Sequence, residues 1–329
     1  MRIAIDAMGG DHAPGLIVKG ALEAAAEWPD TELVLVGDKA AIEPLIGGSL
    51  PANVSIAHAD DVIGPDDEPV KAVRRKKGAS MVVAGQLVKD KQADAMLSAG
   101  NTGALMATGL LIVGRMEGIE RPALAPMLPT MDDVGLLSLD LGANMDAKPE
   151  HLMQYAIMGS IYRSKVHGLE RPRVGLLNVG TEAKKGNELT KAAYELLENA
   201  PIHFIGNVEA RDVLNRNCDV LVCDGFSGNI MLKAMEGTAG MIFSTLKDAF
   251  GSSLLTKIAA AIMIPKLKQL KKKLDYKEHG GAPLLGLNGL VVKCHGSSDA
   301  FAVKNAVRQA RIALQGDLIG SISAEINGK

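Results

Sequence analysis

Apolar positions in this chain fall into short, nearly continuous runs, separated by longer stretches in which they recur at helical spacing. The runs predict strands over residues 2–8, 32–37, 54–58, 95–99, 136–141, 174–179, 203–206, 219–223 and 290–294. Strands that are apolar at successive positions are covered on both faces, as in a parallel sheet between helix layers. The intervening spacing predicts helices over 15–27, 68–76, 81–91, 103–115, 149–166, 188–197, 229–249 and 300–314. Pro149 suits the first turn of its helix, where a missing N–H and a fixed φ do no harm. This rhythm implies an α/β protein. No low-complexity linker or short repeat divides the 329 residues, which are read as one domain.

Five breaks after apolar runs share one design, a glycine-rich turn carrying Asn, Asp or Lys. They are Ser98-Ala99-Gly100-Asn101-Thr102-Gly103, Asp140-Leu141-Gly142-Ala143-Asn144, Asn178-Val179-Gly180-Thr181-Glu182-Ala183-Lys184-Lys185-Gly186-Asn187, Asp224-Gly225-Phe226-Ser227-Gly228-Asn229 and His295-Gly296-Ser297-Ser298-Asp299. In an open α/β sheet such turns collect at the carboxyl ends of strands, where ligands bind. Glycine lets the backbone approach a ligand, and the first N–H groups of the next helix favour an anion.

Each turn has a plain reading beside a functional one. Ser98, Gly100, Asn101, Thr102 and Gly103 offer N–H groups and hydroxyls to a compact anion, or form a tight turn for close helix packing. Asn144, Gly180, Asn187, Asp224, Gly228 and Ser297 are the matching anion or substrate candidates elsewhere. Lys184 and Lys185 read as solvated surface or, framed by Gly180 and Gly186-Asn187, as partners of phosphate and a developing oxyanion. At the end of the first run Asp6, Asp11 and His12 crowd together. Asp11 is a candidate cap for the helix near Pro14, and His12 a candidate acid–base group or anion partner.

Composition narrows the chemistry. Aromatic residues are 3% of the chain, so the core must be mostly Ala, Val, Ile, Leu and Met. A net charge of -2 argues against general nucleic-acid binding. Three cysteines at irregular spacing suit neither a disulfide framework nor a zinc site. The N-terminus lacks a signal-peptide layout, and no apolar stretch approaches the roughly 20 residues of a membrane span. A cytoplasmic protein is expected. No G-x-G-x-x-G follows a strand, and there is no P-loop, G-x-S-x-G, H-E-x-x-H or C-x-x-C. Cys294 and His295 are chain neighbours, which a strand points to opposite faces, so Cys294 reads as a core residue. A site without metal, cofactor or covalent intermediate is expected. It suits substrates that already contain the nucleophile and a good leaving group.

Two segments are charged. The acids of Pro65-Asp66-Asp67-Glu68 and the bases of Arg74-Arg75-Lys76-Lys77 complement a helix dipole. Further on, Leu255, Ile258 and Ile262 share one helical face, with Leu254 a further membrane-contact candidate beside them, and Leu267, Leu270 and Leu274 share another after Pro265. Lys266, Lys268, Lys271, Lys272 and Lys273 add a dense positive surface. The segment is either a packed helix pair or dimer interface with a solvated face, or a basic amphipathic tip for an anionic membrane or acidic partner.

Several runs together resemble one family. They are Ile5-Asp6-Ala7-Met8-Gly9-Gly10-Asp11, Asp67-Glu68-Pro69-Val70 with Arg74-Arg75-Lys76-Lys77, Ser98-Ala99-Gly100-Asn101-Thr102-Gly103-Ala104, Leu141-Gly142-Ala143-Asn144 and Asn178-Val179-Gly180-Thr181-Glu182. Lys185-Gly186-Asn187-Glu188, Phe204-Ile205-Gly206-Asn207-Val208-Glu209, Asp224-Gly225-Phe226-Ser227-Gly228-Asn229 and His295-Gly296-Ser297-Ser298-Asp299 follow. In this order, across residues 2 to 315, they resemble the bacterial phosphate acyltransferases, which act on acyl-ACP and phosphate in phospholipid synthesis. The resemblance implies transfer of a long-chain acyl group from acyl carrier protein to inorganic phosphate, giving acyl phosphate for glycerol-3-phosphate acylation. It implies a three-layer α/β/α fold with a large mixed sheet, like isocitrate and isopropylmalate dehydrogenases and phosphotransacetylases. It also implies a homodimer with a helical projection over residues 229–275. Peripheral attachment to the inner face of the cell membrane, beside the downstream membrane glycerol-3-phosphate acyltransferase, is implied as well.

The residues permit direct attack of phosphate on the thioester carbonyl, carried by positioning and charge stabilisation. Backbone N–H groups of residues 100–103, with Asn101 and Lys184 or Lys185, would hold phosphate. Asn229 or another donor would face the oxyanion, and His12, His295 or Asp6 would handle protons. Carrier protein is acidic as a class, so the lysine-rich segment or residues 74–77 would steer it, in competition with lipid. A phosphotransacetylase using acetyl-CoA follows the same logic, though the amphipathic tip favours a lipid-linked substrate. A metal- and NAD-dependent β-decarboxylating dehydrogenase shares the fold but needs a metal–carboxylate cluster, which the sequence lacks. A non-enzymatic scaffold has no use for converging glycine turns.

Overall fold

The computed structural model describes residues 1–132, 134–251, 263, 266 and 281–328. The strands are β1 (Arg2–Asp6), β2 (Glu32–Gly37), β3 (Val54–His58), β4 (Ala95–Ser98), β5 (Ala123–Leu124) and β6 (Met127–Leu128). They continue with β7 (Leu136–Leu139), β8 (Arg173–Asn178), β9 (His203–Glu209), β10 (Val220–Val222), β11 (Ala282–Leu285) and β12 (Leu290–Lys293). The helices are α1 (Gly15–Glu27), α2 (Lys39–Ile46), α3 (Pro69–Arg75), α4 (Ser80–Lys89) and α5 (Thr102–Thr108). After them come α6 (Pro149–His167), α7 (Glu188–Glu198), α8 (Gly225–Gly251), α9 (Ala300–Gln315) and α10 (Leu318–Ile326).

The strands form a seven-stranded sheet in the order β3-β2-β1-β4-β12-β11-β5 and a five-stranded sheet in the order β6-β7-β10-β8-β9. Pairing is parallel except at the meeting edges, where β11 runs against β12 and β5, and β6 against β7. Two residues separate β5 from β6, so one chain segment closes the first sheet and opens the second. The Ala125 N–H donates to the Pro283 carbonyl, and the Ser138 N–H to the Pro126 carbonyl, stitching both edges to that segment.

The uninterrupted apolar runs have the expected cause. Along β1, Ile3 and Ile5 face one core with α1, α6 and α9, while Ala4 faces a second core with α3, α4 and α5. Leu97 and Val292 repeat the first orientation, Met96 and Val291 the second. The first core runs without a break from Ile3 to Leu137 and Val220, so one helix layer covers both sheets.

The differences from the sequence reading are local. The acids of residues 66–68 stand ahead of α3, which starts at Pro69 and has no acid in its first turn. Asp67 instead pairs with Lys76 across the helix, at 2.8 Å. Asp11 does not cap α1, whose N-cap Pro14 receives no side-chain bond. The helix expected over 103–115 is α5 followed by a π-helical turn over Gly109–Gly114. Of the expected membrane tip, Lys266 is helical and exposed. Leu254, Leu255, Ile258, Ile262, Lys268, Lys271, Lys272 and Lys273 lie outside the described residues.

Candidate active site

Three neighbouring strands, β1, β4 and β12, end together, and the turns that follow line a cleft of about 700 Å³. Its lining includes residues 8–11, 99–103 and 293–296, with Ser298. Two of these turns approach more closely than side chains allow. A Cβ on Gly9 would lie 2.8 Å from the Gly100 nitrogen and 2.5 Å from Asp6 Oδ2. Gly10 has φ +116°, a region that L side chains rarely occupy.

Asp6 ends β1 and is buried beneath these turns. Its carboxylate accepts the hydroxyls of Ser80 and Ser98, both at 2.6 Å, and the Met8 N–H at 3.3 Å. Burial pushes its carboxyl above the ordinary range, against the pull of the Ser80 and Ser98 bonds. Ser98 Oγ also accepts the Gly100 N–H at 3.0 Å, so one hydroxyl joins the carboxylate to the turn. Asn101 serves the turn itself, since its Oδ1 caps α5 at Ala104 N and its Nδ2 donates to the carbonyls of Gly64 and Pro65. Thr102 and Gly103 stay on the lining.

His295 lines the cleft, and its Nδ1 accepts the Ser297 N–H at 3.1 Å, which assigns the ring proton to Nε2. His12 is exposed and off the lining. Cys294 is buried, with its thiol pushed up to about 11 by burial, as a core cysteine requires.

Lys293 was not singled out by the sequence. It closes β12, lines the cleft and is the one Lys or Arg among the described lining residues. Burial pulls its ammonium below the ordinary lysine range, while the charges of Asp6 and Asp11 act the other way. A lysine ending an apolar strand just ahead of a glycine turn was the available signal. The same signal led to Lys184 and Lys185 in a different turn.

The opposite wall is apolar. Leu124, Pro126, Met127 and Leu128 come from the β5–β6 segment, Leu141 from the turn after β7, and Leu232 from α8. Behind them the second sheet gathers its own turns. Asp140, buried, accepts the N–H groups of Gly142, Ala143 and Asn144, and burial raises its carboxyl pKa. Asn144 also donates to Asp140 and to the Pro122 carbonyl, and its own carbonyl accepts the Gly225 N–H. Asp224 caps α8 through Ser227 N, Gly228 packs on the Asp140 carbonyl, and the Asn229 side chain lies beside Gly142. These residues build a wall behind Leu141.

The turn after β8 stands apart. In the strand order β8 is three strands from β6, roughly 15 Å across the sheet. Lys184 and Lys185 are exposed there, off the cleft lining. Gly180 packs against the stem of Lys185, and Asn187 caps α7 through Thr190 N at 2.9 Å. Among the described residues, no group of three or more His, Cys, Asp or Glu is placed to hold a metal ion.

Known proteins resemble this chain over nearly its whole length. The family model described as fatty acid synthesis protein matches residues 1–320. The phosphate acyltransferase of Geobacillus thermodenitrificans is 58% identical over 326 residues, which is 99% of each chain. That of Brevibacillus brevis is 60% identical over 318 residues, covering 97% of this chain and 95% of its own. Among solved structures, a phosphotransacetylase from Streptococcus pyogenes has a TM-score of 0.61 at 18% identity, over 97% of this chain and 94% of that one. A branched-chain phosphotransacylase from Enterococcus faecalis has a TM-score of 0.59 at 16% identity, over 95% and 99%. At such identities the solved structures speak for the fold.

Proposed function

The chain belongs to the phosphate acyltransferase family, and from that premise we propose that it transfers a long-chain acyl group from acyl carrier protein to inorganic phosphate. The product, an acyl phosphate, feeds phospholipid synthesis. One observation carries the reading: a single cleft sets glycine turns with Lys293 against an apolar wall of Leu124, Met127, Leu128, Leu141 and Leu232. Phosphate suits the first and an acyl chain the second.

Phosphate attacks the thioester carbonyl carbon. A C–O bond forms, the carbonyl becomes an oxyanion, and its collapse breaks the C–S bond. The electron pair leaves on sulfur, and the thiolate takes up, by way of water, the proton that the hydrogen phosphate gives up as the acyl phosphate forms. Holding a competent nucleophile against an activated acyl group supplies most of the acceleration. Donors aimed at the oxyanion supply the rest. In this reading Gly100, Thr102 and Gly103 meet phosphate through the backbone, and His295 Nε2–H is the donor for phosphate or oxyanion. Ser98, Asn101 and Ser297 hold those groups in place. Asn144, Asp224, Gly228 and Asn229 shape the acyl wall, and Lys184 and Lys185 do not contact phosphate.

Further parts of the proposal concern assembly. A homodimer is supported by α8, which exposes Phe226 at 59%, Ile230 at 54% and Met241 at 64%. No described helix is long and apolar enough to cross a membrane, and the proposal is peripheral contact with the inner face through the lysine-rich segment.

The test is turnover by the purified protein. Long-chain acyl-ACP is expected to be consumed only when inorganic phosphate is present, without added metal or nicotinamide, and chelator leaves the rate unchanged. Equal or better use of acetyl-CoA would move the protein to the phosphotransacetylase reading.

A further inference from the structure

Asp6, Ser98 and Lys293 stand on one rung of the sheet. In the β1–β4 register Asp6 is opposite Ser98, and in the β12–β4 register Lys293 is opposite the same Ser98. Parallel strands in register direct such side chains to the same face. That face is the one covered by α4, whose Ser80 completes the set by donating to Asp6. At about 4.8 Å per strand, Asp6 and Lys293 are roughly 10 Å apart along the rung, with Ser98 between them. The carboxyl group accepts two hydroxyls and the Met8 N–H, so both of its oxygens are held in place.

Lys293 is set up differently from the surface lysines. Among the described residues it has no carboxylate within ion-pair distance, unlike Lys76 and Lys304, which hold Asp67 and Glu27. Its Nζ donates to the neighbouring Cys294 carbonyl, leaving two of the three ammonium hydrogens for other acceptors. The side chain borders the same cleft as the turn of residues 99–103. A cation held beside backbone N–H groups is the arrangement that binds phosphate as a point charge.

We propose that Lys293 is the cation that binds inorganic phosphate in this cleft, and that Asp6 is a positioning residue acting through Ser98. This rests on the reading that phosphate enters the cleft, and it gives Lys293 the role expected of Lys184 or Lys185. Lys293 bridges a phosphate oxygen and the oxygen of the thioester carbonyl. The negative charge of the nucleophile and that of the tetrahedral oxyanion then meet one ammonium. Lys293 itself need not gain or lose a proton. Asp6 lies below the glycine turns and off the cleft lining, so it touches neither substrate.

The experiment uses the full chain with long-chain acyl-ACP and inorganic phosphate. Wild-type turnover comes first, because its absence overturns the proposed reaction rather than the assignment of Lys293. Lys293→Ala is expected to raise KM for phosphate at least tenfold and to lower kcat by about 10²–10³, with KM for acyl-ACP within about threefold of wild type. Lys293→Arg is expected to recover at least tenfold of that loss. Inorganic phosphate alone, at millimolar concentration, should raise the melting temperature of wild type and leave that of Lys293→Ala unchanged. Lys293→Gln keeps the stem and removes only the charge, so it decides the matter if the alanine variant does not fold. Asp6→Asn should raise KM for phosphate and leave KM for acyl-ACP alone. Wild-type phosphate KM and melting shift in Lys293→Gln overturn the assignment. Parallel rises in both KM values for Asp6→Asn reduce Asp6 to a structural part.

Discussion

Asp6 and Ser98 stand opposite each other on neighbouring parallel strands, and the Ser98 hydroxyl donates to the Asp6 carboxylate at 2.6 Å. The same hydroxyl oxygen accepts the Gly100 N–H at 3.0 Å. Through one side chain, a buried carboxylate in β1 therefore fixes a turn after β4. That turn borders the cleft, so the carboxylate shapes the site without standing in it.

A stability consequence follows for Asp6. Burial raises its folded pKa above the unfolded value near 3.9. Its contribution to stability is thus fully present below that unfolded value and is lost as pH rises through the folded one. At pH 7, well above the unfolded value, the cost of burying this carboxyl group weighs against the fold. Asp6→Asn keeps the shape and an accepting oxygen, so its urea midpoint at pH 7 should equal or exceed wild type. The gap should close as pH falls towards 4. A clearly lower midpoint at pH 7 would show that the carboxylate is needed for folding.

Gly9 is a second point where the turns after β1 and β4 approach closely. With a Cβ only 2.5 Å from Asp6 Oδ2 and 2.8 Å from the Gly100 nitrogen, Gly9→Ala must push the two turns apart. We expect a loss of about 1–3 kcal/mol in unfolding free energy together with a higher KM for phosphate. Chemical denaturation and steady-state kinetics on one preparation read both. A variant with wild-type values in each would mean that the turns do not meet.

The long apolar runs were legible because strands buried on both faces leave so direct a mark: β2 and β3 have the predicted bounds. The missing strands β5, β6 and β11 were not. Two have two residues each, and β11 contains Pro283, a residue that argues against an inner strand, although its carbonyl accepts the Ala125 N–H. Those short strands carry Leu124, Met127 and Leu128, so the apolar wall was hidden with them. The glycine turns were visible, but their grouping was not. Sequence cannot show that the turns after β4 and β12 share a cleft with that after β1, while the turn after β8 lies three strands from β6. Lys184 and Lys185 stand out by the glycines around them, whereas Lys293 is marked only by its place at the end of an apolar strand ahead of a glycine turn.

Acid sensitivity should centre on Asp219. Burial pushes its carboxyl up, but bonds from the Arg173 side chain and backbone, and from Arg216, outweigh this and hold it at about 2. Because the folded value is depressed, the stabilisation is present above the unfolded value near 3.9 and is lost as pH falls through about 2. A shift of this size corresponds to about 2 kcal/mol. Asp219→Asn should therefore lower the urea midpoint at pH 7, and the deficit should shrink between pH 4 and pH 2. A deficit that stays constant across that window would assign the effect to packing instead of charge.

The apolar wall should set acyl-chain length. Leu232 of α8 lines the cleft and is partly exposed, so a larger side chain there can project into the open volume without overpacking the core. Each methylene kept out of an apolar site forfeits about 0.8 kcal/mol, or about fourfold in relative kcat/KM. Leu232→Trp should thus lower kcat/KM for a sixteen-carbon acyl-ACP by about tenfold or more, as two or more methylenes are displaced. An eight-carbon substrate should lose little, and KM for phosphate should not move if phosphate meets the glycine turns and not the wall, as proposed. Competition between the two acyl-ACPs in one reaction measures the ratio directly. An equal loss for both chain lengths would place the acyl chain elsewhere. A raised phosphate KM would mean that the two halves of the cleft are not separate.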